Sequence, residues 1–217
     1  PQIPKLLEVI KNKMIGDITS IEASFGFDMG KTIPDHRLFN KNLAGGGILD
    51  VGLYPISLSR LIAGVATGEK FLEPNFINAE GRIGDTGVDE VAHANLEFKN
   101  GIKAKVSTAI RESMKNNAII LGSEGTIELP DPWMPGRNGG PYHAKIIINK
   151  NGQEEVIELK GPEHLFFFEA ELASQCIAKE KIQPPHPAMT WEDTLGNLKA
   201  LDTWRDIINY KLPQDEI

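Results

Sequence analysis

The middle of this 217-residue chain is an almost unbroken series of short strand-forming runs. The runs are rich in β-branched and aromatic residues and cover 76–81, 88–98, 102–110, 117–121, 126–129, 143–149 and 155–159. Lys99-Asn100-Gly101 and Asn149-Lys150-Asn151-Gly152 are tight-turn signals between consecutive runs, as in β-hairpins. Parallel neighbours would need long crossover connections, and no helical pattern interrupts the series. We therefore predict a broad, mainly antiparallel sheet.

Helical patterns lie on either side of this series. The apolar spacing predicts one further strand over 18–27 and helices over 4–14, 48–62, 165–181 and 190–210. Pro55 predicts a kink in the second helix, and Thr190 with Asp193 predicts a capping-box-like start for the last one. Strands and helices do not alternate, so we predict a single α+β domain over 1–217, with helices on one face of an open-faced sheet.

Composition excludes several classes of protein. The net charge of −7 repels phosphate backbones, so we expect no nucleic-acid partner. Cys176 is the one cysteine, which rules out multi-cysteine zinc sites, and its helical surroundings predict a buried, inert thiol. The five histidines show no i, i+4 pair, so we expect no metal site. No apolar run approaches the about 20 residues that span a bilayer, so we expect no membrane association.

A glycine triplet, Gly45-Gly46-Gly47, precedes the second helix. A dinucleotide-binding fingerprint needs Gly-x-Gly-x-x-Gly directly after a strand, so that the third glycine lets the helix pack on that strand. Here Asp50 stands at the third position, and the triplet follows a polar loop. A carboxylate in the first helical turn would repel a pyrophosphate. We therefore expect this chain to contain no dinucleotide site.

Asp50, Tyr54 and Ser57 are spaced one turn apart and share one stripe of an otherwise apolar helix. Two interpretations remain open at this point. In the first, Asp50 caps the helix through the free N–H groups of its first turn, and Tyr54 packs in the core. In the second, Asp50 and Tyr54 lie at the mouth of a pocket, where a tyrosine could exchange a proton with a substrate hydroxyl.

The pocket of the second interpretation would be formed by Gly46, Gly47 and the polar loop over 28–44. Loops of that length inside a compact domain are usually functional or disordered. His36 belongs to this loop and could reach the same pocket.

One segment carries a family resemblance. Residues 43–55 are Leu43-Ala44-Gly45-Gly46-Gly47-Ile48-Leu49-Asp50-Val51-Gly52-Leu53-Tyr54-Pro55. This segment resembles the signature Gly-Gly-Gly-x-x-x-Asp-x-Gly-x-(His/Tyr) of the glucose–fructose oxidoreductase / inositol dehydrogenase / rhizopine catabolism (GFO/IDH/MocA) family. Arg37-Leu38 is similar to an Arg-Leu pair that precedes the signature in one branch, and 187–195 is similar to the start of the closing helix. The resemblance covers essentially the whole chain.

The resemblance implies a C-terminal domain like that of glyceraldehyde-3-phosphate dehydrogenase, preceded by a Rossmann domain that binds NAD or NADP and supplies a lysine beside the reacting carbon. We expect that Rossmann domain to be absent from this chain. By the same resemblance, Asp50 binds a substrate hydroxyl and Tyr54, at a position where many relatives have histidine, is the general acid/base. Arg37 is expected near the substrate or the cofactor, together with His36, Gly46 and Gly47.

The resemblance further implies an NAD(P)-dependent oxidoreductase, active when intact, that transfers a hydride at a secondary alcohol carbon of a sugar, cyclitol or cyclic diol. Two alternatives remain: an NAD-dependent glycoside hydrolase of the same family, and a non-catalytic sugar-sensing or partner-binding member. A cytoplasmic location is expected, although the start of the chain, Pro1-Gln2-Ile3-Pro4, gives no direct indication of it.

Two strand runs place apolar side chains on both faces of the predicted sheet: Ala118-Ile119-Ile120-Leu121 and Ile146-Ile147-Ile148. An exposed apolar patch on the open face usually marks an interface, so we expect a dimer or tetramer that associates through this face. The alternative is that the Pro- and Gly-rich loop over 131–142 folds over the face and covers it.

Overall fold

The computed structural model describes residues 1–137 and 139–216. Its centre is one eight-stranded sheet in the order β2-β3-β4-β1-β5-β6-β7-β8. The strands are β1 Ile18–Gly26, β2 Pro74–Ile83, β3 Asp89–Phe98, β4 Lys103–Ala109, β5 Ala118–Gly122, β6 Gly125–Leu129, β7 His143–Lys150 and β8 Gln153–Lys160. The α-helices are α1 Gln2–Lys11, α2 Leu53–Val65, α3 Leu165–Ala178 and α4 Trp191–Ile207. The predicted α+β class and mainly antiparallel sheet are confirmed.

One pair of strands departs from the antiparallel pattern. β1 runs parallel to β4, with Ile21 opposite Ala104, and antiparallel to β5. The first strand therefore lies in the middle of the sheet and joins the β2-β3-β4 meander to the β5-β6-β7-β8 meander. A parallel pair needs a long connection, and here the whole segment from α2 to β3 lies between the two strands in sequence.

The helix that follows the glycine triplet is irregular at its start. Residues Ile48–Gly52 form a π-helical turn, and regular α-helix begins only at Leu53. Pro55 has no N–H to donate to the carbonyl of Val51, so the α-helical bond at this step cannot form. The distortion predicted at Pro55 is thus present, as a wider turn immediately before the proline.

The stretch Lys41–Val65 is long and apolar enough to cross a membrane by length and composition, because it contains an 18-residue apolar window with a mean hydropathy of 1.4. The sequence-based statement that no run approaches this length is therefore wrong. However, 67% of the apolar window is buried inside the fold, as in the core helix of a globular domain.

The core lies between the sheet and the helices. Ile21 and Val106 point toward α2 and are fully buried, whereas their sequence neighbours Glu22 and Lys105 are exposed on the other face. This alternation is what an antiparallel sheet with one covered face requires.

The other face of the sheet carries apolar side chains as well, as predicted. Ile119, Ile147 and Val156 lie in one row across β5, β7 and β8, with Glu128 of β6 between the first two. The loop over 131–142 was the alternative cover for this face. Its Trp133 stacks on Phe25, on the opposite face of the sheet, where the helices pack. Asn138 of the same loop lies outside the described residues.

The two C-terminal helices expose many apolar side chains. On α3 only Cys176 is buried, which confirms the expected buried thiol. Large apolar side chains are exposed along α3, the following turn and the outer side of α4: Phe166, Phe167, Ile177, Ile182, Met189, Trp191, Leu195 and Leu198.

Arg60 joins α2 to α4. Its side chain is fully buried and donates to Glu73, at 2.6 Å, and to Asn197 and the Asp193 carboxylate, at 2.7 and 3.3 Å. Thr190 caps α4 by accepting the Asp193 N–H at 3.2 Å, as the sequence predicted, while the Asp193 carboxylate binds Arg60.

Replacing Arg60 with alanine should destabilise the domain by about 3–5 kcal/mol, because it leaves buried polar partners without a cation. Arg82→Ala is the matched control, since Arg82 is 59% exposed in a surface pair with Glu90 and should cost about 0–1 kcal/mol. Urea unfolding of both variants measures the difference. Equal losses in the two variants would contradict the assignment of Arg60 as the link between the helices.

Candidate active site

The glycine triplet forms a tight turn between the long loop and the helix. Gly46 has a positive φ of 95° and donates its N–H to the carbonyl of Leu38 at 2.9 Å. A Cβ at Gly45 would lie 2.6 Å from the Leu38 carbonyl oxygen. Glycine is therefore required here both for the backbone conformation and for close packing of the loop.

Three buried side chains from outside the turn hold its backbone. Asp89, at the start of β3, accepts the Ile48 N–H through Oδ2 at 2.8 Å. Thr108 of β4 donates its hydroxyl to the Gly47 carbonyl at 3.0 Å. Tyr210, after α4, donates to the carbonyl of Gly45 at 2.8 Å. The turn is thus fixed to the sheet and to the end of the last helix.

Asp89 is the most strongly perturbed acid of this network. Burial raises its pKa to about 7, and hydrogen bonds from backbone N–H groups and the charge of Arg205 offset only part of that effect. Its second oxygen, Oδ1, is buried without a hydrogen-bond partner among the described residues. A Cβ at Gly46 would lie 2.1 Å from this oxygen, so the turn packs directly against the carboxyl group.

Arg37 and Asp50 form an ion pair, in which Arg37 Nη1 donates to Asp50 Oδ1 at 2.5 Å. The Asp50 N–H donates to the Gly46 carbonyl at 3.2 Å. The Arg37 side chain is 66% exposed and that of Asp50 is 14% exposed. The carboxylate therefore faces a cation at the protein surface and does not cap its own helix with its side chain.

Tyr54 lies at the surface on α2, and 44% of it is exposed. Its ring makes edge contacts with Phe25 and Trp133, at centroid distances of 5.2 and 6.0 Å. Trp133 is itself anchored, because its Nε1 donates to the Ser24 carbonyl at 2.8 Å. The interpretation of Tyr54 as a buried core residue is therefore wrong: the ring is held in place while the side chain stays accessible.

His36 is engaged within its own loop. Its Nδ1 accepts the Leu38 N–H at 3.3 Å, and its ring lies 6.5 Å from that of Phe39. The structure thus pairs Arg37 with Asp50 above the Gly46–Gly47 turn and leaves His36 turned toward neighbouring loop residues.

Sequence reasoning missed Asp89. Counting back along β3 from Phe98 with strict alternation puts Asp89 on the open face with His93 and Asn95, where a carboxylate is unremarkable. In the structure Val91 pairs with Arg82 and Asp89 pairs with Ile83, so Glu90 is an extra, bulged residue. The bulge turns Asp89 inward. No simple sequence pattern predicts it.

The start of the helix does not fit a dinucleotide phosphate. The Ile48 N–H already donates to Asp89, and the Asp50 carboxylate lies in the same turn. Across residues 1–137 and 139–216, no group of three or more His, Cys, Asp or Glu side chains could hold a metal ion.

Comparison with known proteins agrees with the signature segment. The sequence profile of the GFO/IDH/MocA C-terminal domain matches residues 3–128. The chain belongs to this family, which confirms the family resemblance of the sequence.

Two relatives illustrate the match. The chain is 28% identical over 222 residues to trans-1,2-dihydrobenzene-1,2-diol dehydrogenase of Mus musculus, covering 100% of this chain and 61% of that enzyme. It is 30% identical over 192 residues to the Xenopus tropicalis enzyme of the same name, covering 85% and 53%. The chain therefore spans little more than half of these relatives.

Solved structures share the fold. A 3-ketoreductase from Actinomadura kijaniata, in complex with NADP and TDP-benzene, has a TM-score of 0.78 at 22% identity, covering 96% of this chain and 59% of that one. An aldose–aldose oxidoreductase from Caulobacter crescentus, complexed with glycerol, has a TM-score of 0.72 at 22% identity, covering 94% and 57%.

Gly46→Ala should destabilise the domain more than Gly30→Ala. Both glycines have positive φ, 95° and 74°, but a Cβ at Gly30 meets nothing within 4 Å, whereas one at Gly46 collides with Asp89. The collision should add about 1–3 kcal/mol to the shared cost of the backbone conformation. Chemical denaturation measures both variants, and equal losses would show that the turn tolerates a side chain.

Proposed function

We propose that this chain is the substrate-binding part of a nicotinamide-dependent oxidoreductase that acts at a secondary alcohol carbon of a sugar, cyclitol or cyclic diol. The observation that carries the proposal is the ion pair between Arg37 and Asp50 of the family's signature segment, with the accessible Tyr54 one turn further along. The names of the relatives and structural neighbours, a diol dehydrogenase, a 3-ketoreductase and an aldose–aldose oxidoreductase, support this substrate class.

Each side chain has a distinct role in this proposal. Asp50 accepts a hydrogen bond from a substrate hydroxyl, and Arg37 fixes the direction of that carboxylate. Tyr54 exchanges the proton of the reacting hydroxyl, and its ring contacts with Phe25 and Trp133 keep it in position. When bound, the nicotinamide supplies the hydride acceptor or donor.

We place the cofactor on a second domain, because the helix start in this chain does not fit a dinucleotide phosphate. The exposed apolar side of α3 and α4 supports this arrangement. Patches of this kind usually mark contact with another domain or protein. The relatives are long enough to contain such a domain, since the chain spans 61% of the mouse enzyme.

Tyr54→Phe, in the enzyme that contains both domains, should lower kcat by about 10²–10⁴-fold with little change in KM, because proton transfer acts in the transition state. Asp50→Asn should mainly raise KM for the polyol. Steady-state kinetics with a cyclic diol and with aldoses measure both variants.

Tyr142→Phe is the control for loss of a tyrosine hydroxyl. Tyr142 is buried away from the site and accepts the Gln2 N–H at 3.1 Å. We expect this variant to keep its turnover and lose some stability. If Tyr54→Phe turns over as fast as Tyr142→Phe, Tyr54 is not the acid/base group.

We further propose that the domain forms a dimer or tetramer through the open face of the sheet. The support is the in-register row of Ile119, Ile147 and Val156, the last of which is 43% exposed. The exposed ion pair of Lys145 with Glu158 borders this row on the same face of the sheet.

Sedimentation equilibrium of the 23.9 kDa chain should give at least twice the monomer mass at micromolar concentration. Ile147→Lys places a charge in the middle of the row and should shift the mass toward the monomer. Leu198→Lys, at an exposed position on α4, should leave the mass unchanged. A monomer in the unsubstituted chain would refute association through this face.

A further inference from the structure

Asp89 is a buried carboxyl group for which the proposed chemistry gives no role. It is fully shielded from solvent, and its Oδ1 has no hydrogen-bond partner among the described residues. A buried carboxylate with a free oxygen costs stability, and a neutral side chain of similar size would avoid that cost. The charge at this position is therefore a cost to the fold as a whole, and what the acid provides is the hydrogen bond to the turn.

Asp89 is linked to the candidate active site through the glycine turn. Its Oδ2 accepts the N–H of Ile48, two residues before Asp50, and its Oδ1 lies against Gly46. The Gly46 carbonyl accepts the Asp50 N–H at 3.2 Å, and the Gly46 N–H binds the carbonyl of Leu38, next to Arg37. A shift of the turn would therefore move both members of the Arg37–Asp50 pair.

The charged and titratable groups that face Asp89 come from the end of α4. Arg205 contributes a positive charge, but it is already paired with Asp202 and Asp215, at 2.7 and 2.8 Å. Tyr210 is the other neighbour, and burial, followed by the charge of Asp89, raises its pKa. No partner in this set neutralises Asp89 directly within the described residues.

We propose that Asp89 is a positioning residue of the candidate active site: from β3 it fixes the glycine turn, and through the turn it fixes the Arg37–Asp50 pair. This inference deepens the proposed function and rests on it. Its test uses the 217-residue chain without cofactor or turnover, so failure here is distinguishable from failure of the proposed reaction.

Ionisation of Asp89 has opposite effects on the turn and on the whole fold. Burial raises its pKa from 3.8 to about 7, so the folded state holds the proton more tightly than the unfolded state does. The resulting contribution to global stability is present at low pH and is lost as the pH rises through 7. The ionised form, however, is the stronger acceptor for the Ile48 N–H. Protection of that amide should therefore increase over the range in which global stability falls.

Hydrogen exchange by NMR tests the local effect. Asp89→Ala should speed exchange of the Ile48 amide by about tenfold or more, as expected for loss of a hydrogen bond to a charged acceptor. It should also shift the Arg37 guanidinium resonances, while amides of β7 and β8 keep their rates. Asp89→Asn retains an acceptor oxygen and should keep part of the protection. Asp85→Asn, an exposed acid in the preceding turn, should change neither signal.

The pH dependence tests the same assignment without relying on a variant that folds poorly. In the unsubstituted chain, the Ile48 amide shift and the Asp89 carboxyl ¹³C shift should titrate together near pH 7. The urea midpoint should fall from pH 5 to pH 8 relative to that of Asp89→Asn, which cannot ionise. An Ile48 amide that does not respond between pH 5 and pH 9, or Arg37 resonances unchanged in Asp89→Ala, would overturn the proposal.

Discussion

The close contact between the glycine turn and the buried carboxyl group of Asp89 is the constraint on which the candidate site depends. Gly46 packs so tightly on Asp89 that no Cβ would fit, and this contact sets where the helix begins. The Arg37–Asp50 pair follows from it, because the loop before the turn and the helix after it both take their position from the turn. The glycines therefore serve packing between chain segments, whereas in a phosphate-binding loop they leave space for a ligand.

Much of the fold could be predicted because its elements have local causes. Alternating runs and asparagine–glycine turns specify the hairpins of the two meanders, and Pro55 specifies the irregular start of α2. The position of β1 in the sheet is not determined by any local sequence feature of this kind. A strand near the beginning of the chain can add to either edge or join two meanders, and only packing of the complete core selects its parallel contact with β4. The local sequence pattern therefore does not predict which strands are the neighbours of β1.

The candidate site likewise has one part that could be predicted from the sequence and one part that could not. Arg37, Asp50 and Tyr54 lie in or next to one contiguous segment, so their spacing was visible in the sequence. The groups that hold them are distant: Thr108 and Tyr210 come from β4 and from the region after α4. Asp89 was further concealed by a bulge, since one extra residue reverses the face on which the preceding side chain lies. A site's reacting groups can be close in sequence while its supports are dispersed.

The two groups that the proposed function assigns to the substrate are held by different physical means, and the difference suits the roles proposed for them. Asp50 is held through charge and backbone hydrogen bonds, which fix the direction of the carboxylate that we propose binds one substrate hydroxyl. Tyr54 is held through the edges and faces of aromatic rings, which position the side chain without engaging its hydroxyl. A proton-exchanging group needs both donor and acceptor capacity at its oxygen. Ring contacts preserve that capacity, and hydrogen-bonded anchoring of the phenol would consume part of it.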